Sequence, residues 1–405
     1  ENSCGGSGLP IRNLESRRAR NSADVGLSRA LLSGEKMTRA VVVGNGILGL
    51  QIALRLLDDH PELNVHLVGP PTRPGAASLA AAAMFNSFCE IEAGTLDDPI
   101  ERRRFEFNRL SNHLWPSFLS ELAVRAKTRI SHGFGTFLVN NACTDSLEED
   151  NFAAIIAALR EYQEPFEEVD PRGISNYKPH ARERALRSIF IPREGWVNPI
   201  ELITSIEKLL ADSGRVVFVQ EHCKRLNIRE DVVTSVETES GEIVEGDLFV
   251  LSPGANFSSI IGASGLAEQF QRIFYGAGCS ILLRTDEQTL SNCVRTPNRG
   301  LACGVYAAPQ AADLTLVGAS NFISPVPVES PRATSGYSLL KSAIEQINRN
   351  FYRAEVVRIN FGWRPTTQDT LPLLGRGGFQ TRWSPLLPHN RRDHQRASGK
   401  QRIEI

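Results

Sequence analysis

The stretch from Arg39 to Leu57 limits the fold more than any other. The apolar run Ala40-Val41-Val42-Val43 empties into Gly44-Asn45-Gly46-Ile47-Leu48-Gly49 and then into an apolar-periodic segment. That order reads as strand, glycine turn and helix, and β-branched residues suit a buried parallel strand. In such a unit Gly44 permits a tight turn, Gly46 lets backbone N–H groups approach a pyrophosphate, and Gly49 lets the helix lie close on the strand. A phosphate would sit on the helix N-terminus, where unpaired N–H groups and the macrodipole favour negative charge. Taken alone, the motif leaves two readings open: a dinucleotide cradle, or a turn that serves packing only.

Size and charge narrow the partners. A chain of 405 residues, 41% of them hydrophobic, can bury the cores of two ordinary domains. Its 45 basic and 46 acidic residues leave a formal net charge of −1, so no overall field draws it to nucleic acid or an anionic membrane, and small ligands are the expected partners. Seven scattered cysteines without a C-x-x-C pair fit reduced thiols and a cytoplasmic location. No apolar run approaches the roughly 18 residues of a membrane-spanning helix. The eight histidines do not cluster with cysteines at metal-ligand spacing, so no metal is expected.

Residues 1–36, rich in Gly, Ser, Asn and Arg ahead of Met37, read as a disordered extension. Residues 64–68 read as a second strand parallel to the first, ending in Gly69, Pro70 and Pro71. The small-residue segment 74–84 either lets a flat ligand approach the backbone or is a short alanine-rich helix. Asp98 and Pro99 open a long helix whose Phe105, Leu110, Leu114, Trp115, Phe118 and Leu122 are expected to form a core stripe.

A strand at 135–139 and a helix at 151–162 follow, with His132 expected to be structural. Asn198 and Pro199 precede a helix at 200–210 and a strand at 216–219; a hairpin is expected around 232–242, and a buried strand at 246–251 ends in Ser252-Pro253-Gly254. Segments 280–284, 305–308 and 314–317 read as antiparallel strands of a second sheet, 338–351 as a helix, and 356–361 as a strand.

In order and spacing, these stretches resemble the flavin-dependent D-amino-acid oxidase and glycine oxidase superfamily over residues 37–376. The carriers are the turn 44–49, a Ser-x-Ala-Ala-Ala-Gly-Met type segment at 78–84, a D-G-x-V-x-P-like element at 194–199 and the strand end at 252–255. The most specific is the run Gly362-x-Arg364-Pro365-x-x-x-Asp369-x-x-Pro372-x-x-Gly375. The resemblance implies an α/β chain with a Rossmann-like FAD-binding domain on a parallel central sheet (37–95, 193–265 and 355–376). A second, substrate domain, 96–192 with 266–354, would rest on a mostly antiparallel sheet with helices, and 377–405 would be a divergent, disordered tail.

It also implies bound FAD, touched by Gly44, Asn45, Gly46, Ile47, Leu48, Gly49, Ser78, Ala83, Met84, Gly254 and Gly375. The substrate in that family is a primary or secondary amine, often an amino acid, whose carbon gives hydride to the flavin before the imine hydrolyses. Oxygen or another acceptor then takes the electrons. No side-chain base is needed, so no catalytic side chain is expected. Arg364 is the candidate grip for a substrate carboxylate, unless it serves an ion pair within its own loop, and Tyr306 is a candidate hydrogen-bond donor.

The chain departs from the family pattern at four places. Gly69 stands where an acid usually meets the adenosine ribose, Ala83 where glycine is usual, and Gln310 where a carboxylate-binding Arg is frequent. The fourth is the tail, which lacks the usual Gly-His-x-x-x-Gly turn. Two other readings therefore stay open: a degenerate relative without catalysis, and a nicotinamide-dependent dehydrogenase, which would leave 78–84 and 362–375 without a role.

Overall fold

The computed structural model describes residues 38–377, except 82, 142–145, 231, 286–289 and 300–302, together with 403–404. The expected extension 1–36 and nearly all of the expected tail 377–405 lie outside the described residues.

The chain opens as its glycine motif demands. Strand β1 (Arg39–Val43) leads through the turn into helix α1 (Ile47–Asp59), and β2 (Asn64–Val68) returns parallel to β1 with Ala40 beside Val65 and Val43 beside Val68. The next pieces are a one-turn helix α2 (Ala77–Ala80), a two-residue strand β3 (Met84–Phe85) and the 28-residue helix α3 (Pro99–Ala126). Asp98 caps α3 by accepting from the amides of Ile100 and Glu101 at 2.7 and 3.0 Å.

Beyond it come β4 (His132–Asn141), α4 (Ser146–Glu161), β5 (Glu167–Val169) and β6 (Ala185–Val197). Helix α5 (Pro199–Asp212), capped by Asn198, precedes β7 (Val216–Val219). The three strands β8 (Cys223–Arg229), β9 (Val232–Thr238) and β10 (Ile243–Glu245) form a meander, followed by β11 (Leu248–Leu251) and α6 (Phe257–Ala263). The remainder is β12 (Phe274–Arg284), β13 (Cys293–Arg295), β14 (Tyr306–Pro309), β15 (Leu314–Gly318), β16 (Phe322–Ser324), α7 (Ala333–Gln346) and β17 (Glu355–Thr366).

Two main sheets result. In the smaller, β11, β1, β2 and β7 lie side by side and wholly parallel. Alternation along β1 sends Ala40 and Val42 to one face, under Leu50, Leu54 and Leu57 of α1 and Ile203, Ile206 and Leu210 of α5, and Val41 and Val43 to the other, against the meander and α6. Each fully buried aliphatic side chain contributes on the order of 1.5–3 kcal/mol, so both faces are held by burial. The larger sheet runs β16-β12-β15-β14-β13-β4-β6-β3, with β17 beside β12 and β5 beside β6; β13 and β4 are its one parallel pair among the described strands.

Period two also sorts this sheet's faces. Val294, Ala307, Val317 and Ile281 pack under α7, whereas Cys293, Tyr306, Ala308 and Leu316 meet Trp196 and Met84 on the opposite face. The expected core stripe of α3 is corrected here: Phe105, Leu119 and Leu122 are buried, but Leu110 and Leu114 are 60% and 65% exposed. At 28 residues α3 outruns the surfaces it covers, so its middle turns keep one apolar edge in solvent. The helix expected at 338–351 lies at Ala333–Gln346, with a 3-10 turn after it.

Candidate functional site

Three glycines make the turn after β1 possible. Gly44 has φ of +105°, and a Cβ there would stand 2.2 Å from the Ser252 carbonyl oxygen; a Cβ on Gly49 would stand 1.7 Å from the oxygen of Gly44. Gly46 is the N-cap of α1, without a side-chain cap and with no acid in the first helical turn. The Ile47 amide donates to the Ser78 hydroxyl at 3.1 Å, while the amide of the 64%-exposed Leu48 has no partner among the described residues. An unopposed helix dipole with an unpartnered amide in its first turn is what a pyrophosphate requires, so these residues fit one.

The neighbouring turn comes from β11. Ser252 donates to the Val43 carbonyl at 3.1 Å, and Gly254 follows with φ of +61° and open space around its Cβ position. Two glycine-bearing strand ends thus lie together at one end of the parallel sheet.

The end of β2 shows why it carries no acid. The Asn45 side chain occupies the volume a Cβ on Gly69 would need, 2.4 Å from Asn45 Cγ, and its Nδ2 donates to the Pro70 carbonyl at 2.9 Å. Arg73 braces that turn, donating from Nε to the Asn45 carbonyl at 2.8 Å and pairing with Glu207 of α5.

Segment 78–84 bridges the two sheets. Helix α2 lies on β17: a Cβ on Gly362 would stand 2.8 Å from that of Ala80 and 2.9 Å from the Ala76 oxygen, while the Trp363 amide donates to Gly75 at 2.7 Å. The small-residue segment that begins at Pro74 and the last motif of the sequence therefore meet through close backbone contact. Ser280 Oγ donates to the Ala80 carbonyl at 2.7 Å. Ala83 takes φ of +46°, the left-handed conformation that glycine adopts freely, and Met84 pairs with Trp196 at the start of β3. Gly375 lies beyond β17, apart from these contacts.

Arg364 and Tyr306 share an electrostatic environment on the site-facing side of the large sheet. Arg364 lies opposite Gly276, and its Nη1 is 3.6 Å from Cys303 Sγ. It has no carboxylate partner among the described residues. Burial pushes the Tyr306 phenol well above its ordinary range, while the nearby Arg364 charge pulls the other way. Gln310 is buried just after β14, with its Nε2 unpartnered among the described residues.

Sequence reasoning missed a second arginine. Arg295 is 1% exposed, sits across from Tyr306 in the ladder, pairs with Glu90 and donates to Asn298 Oδ1 at 2.7 Å. Burial alone would raise the Glu90 pKa, but the Arg295 charge and hydrogen bonds outweigh it and hold the carboxyl below its usual range. One signal was available: an arginine inside the short apolar strand Cys293-Val294-Arg295 must carry its own counter-charge.

Glu194 was singled out only as part of a motif. Its carboxylate accepts from the amides of Ser87, Phe88 and Cys89 at 2.8, 2.6 and 3.2 Å, fixing the turn that ends in Glu90. Burial keeps its pKa raised despite those bonds. Among the described residues there is no cluster of potential metal ligands and no helix long and apolar enough to cross a membrane.

Comparisons with known proteins agree with this geometry. Residues 39–390 match the model of a family described as FAD dependent oxidoreductase. Among solved structures, glycine oxidase from Bacillus cereus is 19% identical with a TM-score of 0.68, covering 84% of this chain and 86% of its own. Iminodiacetate oxidase from Chelativorans sp. is 17% identical with a TM-score of 0.70, covering 84% and 87%; L-proline dehydrogenase from P. horikoshii is 15% identical with a TM-score of 0.62, covering 85% and 86%. At these identities the likeness concerns the fold. No curated protein sequence matches the chain.

Proposed function

The chain belongs to the FAD-dependent oxidoreductase family, and from that premise we propose that it oxidises a primary or secondary amine bearing a carboxylate. The observation that carries this reading is Arg364: a largely buried guanidinium without a carboxylate partner among the described residues, beside Tyr306 and near the paired Glu90 and Arg295. With Glu90 neutralising Arg295, one positive charge remains, and a substrate carboxylate supplies its counterpart. The names of structural neighbours, glycine oxidase and iminodiacetate oxidase, are consistent with such a substrate.

FAD would be held by Gly44, Asn45, Gly46, Ile47, Leu48, Gly49, Ser78 and Gly254, with Ala83, Met84 and Gly375 further along it, and when bound it accepts hydride from the substrate carbon. Arg364 orients the substrate by its carboxylate in fork geometry, and the Tyr306 hydroxyl donates a hydrogen bond. Trp196, Leu316, Met84 and Ala308 keep the surroundings dry. Desolvation among these apolar side chains disfavours an ammonium, keeping the substrate nitrogen neutral. The imine product takes up water and releases ammonia or a smaller amine, leaving an oxo acid; oxygen or another acceptor removes the two electrons. We also propose the two-domain division given above.

The test is anaerobic addition of amino acids and N-substituted glycines to the flavin-loaded protein. Bleaching by carboxylate-bearing amines, but not by their decarboxylated counterparts, is expected. Bound flavin that no amine bleaches would favour a non-catalytic relative.

A further inference from the structure

A cleft of about 290 Å³, distinct from the Arg364 region, opens between α3 and the antiparallel β4–β6 pair. Phe88, Phe134, Pro116 and Pro192 give it apolar walls, while Arg109, Asn112 and His113 stand on the α3 side.

Two arginines and two carboxylates face it, yet among the described residues only one ion pair forms between them. Arg193 lies 3.4 Å from Glu164 and satisfies that carboxylate. Glu194 Oε1 is taken by three backbone amides, and burial raises the pKa of this carboxyl. Arg109 is left over. Its guanidinium stands 5.2 Å over the Tyr162 ring, its Nε is buried without a partner, and among the described residues it makes no hydrogen bond or ion pair. Tyr162 itself donates to Glu106 at 3.2 Å, and that carboxylate makes no ion pair with Arg109 among the described residues. A cation placed beside an apolar slot, with an amide and an imidazole next to it, suits one ligand chemistry.

The geometry points to a second ligand site in this cleft, which takes a small organic carboxylate with an apolar body, its carboxylate on Arg109 and its body between Phe88, Phe134 and Pro192. The turn forming the inner wall, from Ser87 to Glu90, is the one that presents Glu90 beside Arg295, so the two sites share a structural element. This inference stands on the cleft alone and does not depend on the amine-oxidase reading.

The test uses 3-phenylpropionate as the probe and full-length protein carrying Arg364→Met, so that the other carboxylate grip is absent. Calorimetric titration is expected to show one bound equivalent. Adding Arg109→Gln should weaken it at least about tenfold, the loss of a charge-assisted hydrogen bond. His113→Trp, at an exposed position on the cleft mouth, should weaken it by occlusion and guards against a folding defect in the Arg109 variant. No binding in the Arg364→Met protein, or binding that neither added substitution changes, would overturn the proposal.

Discussion

Replacing Arg364 by methionine keeps the length and apolar stem of the side chain and removes its donors. Among the described residues the guanidinium makes one hydrogen bond, to Cys303 Sγ at 3.6 Å, and no ion pair for the substitution to break. Folding stability should change by less than about 1 kcal/mol, since the loss of a desolvated charge offsets the lost contact. Binding should respond differently. A carboxylate gripped by two charge-assisted hydrogen bonds loses about 2–4 kcal/mol when both donors go, which is roughly 30- to 1,000-fold in Kd. The assay is titration of the flavin-loaded variant with an amino acid and, in parallel, with its decarboxylated amine. Flavin absorbance reports binding, and thermal melting reports the fold. Weakening confined to the carboxylate ligand is the expected result. Equal loss for both ligands, or none for either, would refute the assignment of Arg364.

Three further outcomes follow from local geometry. Ala83→Gly relieves a residue held at φ +46° and should stabilise the protein by up to about 1 kcal/mol in denaturant titration, the left-handed penalty exceeding glycine's entropy. Gly49→Ala places a methyl 1.7 Å from the Gly44 oxygen, so α1 must move off the turn; the variant should melt lower and purify without flavin absorbance. Glu194 has a folded pKa above its unfolded value, so its contribution to stability is complete below the unfolded pKa, about 4.3, and is lost as pH rises through the folded one. Glu194→Gln removes that component, so its stability relative to wild type should rise with pH across this window in chemical denaturation curves at several pH values.

The parallel sheet was legible because both signals on which it depends are local: short β-branched runs, and glycines where a Cβ meets backbone at 44 and 49. Helix starts at Asp98-Pro99 and Asn198-Pro199 were legible for the same reason, since a cap and the proline after it act within one turn. Burial along α3 was not, because periodicity marks an apolar stripe without saying where the neighbouring surface ends, and Leu110 and Leu114 lie past that edge.

The candidate site divided along the same line. Gly44 to Gly49 could be read from one stretch, whereas Arg295, Glu90, Asn298 and Cys303 assemble only when β13 docks beside β4 and β14. The missing acid after β2 is likewise a tertiary fact: Asn45, 24 positions before Gly69 in sequence, fills the space that a side chain there would occupy.

The central claim is that the turn from Gly44 to Gly49 holds FAD and that the bound flavin accepts electrons from an amine. The visible spectrum of the purified protein, recorded anaerobically before and after candidate amines, tests it most directly. The account predicts flavin absorbance that bleaches with a carboxylate-bearing amine and returns on admitting an electron acceptor. A colourless protein that gains no such absorbance when incubated with FAD would contradict it.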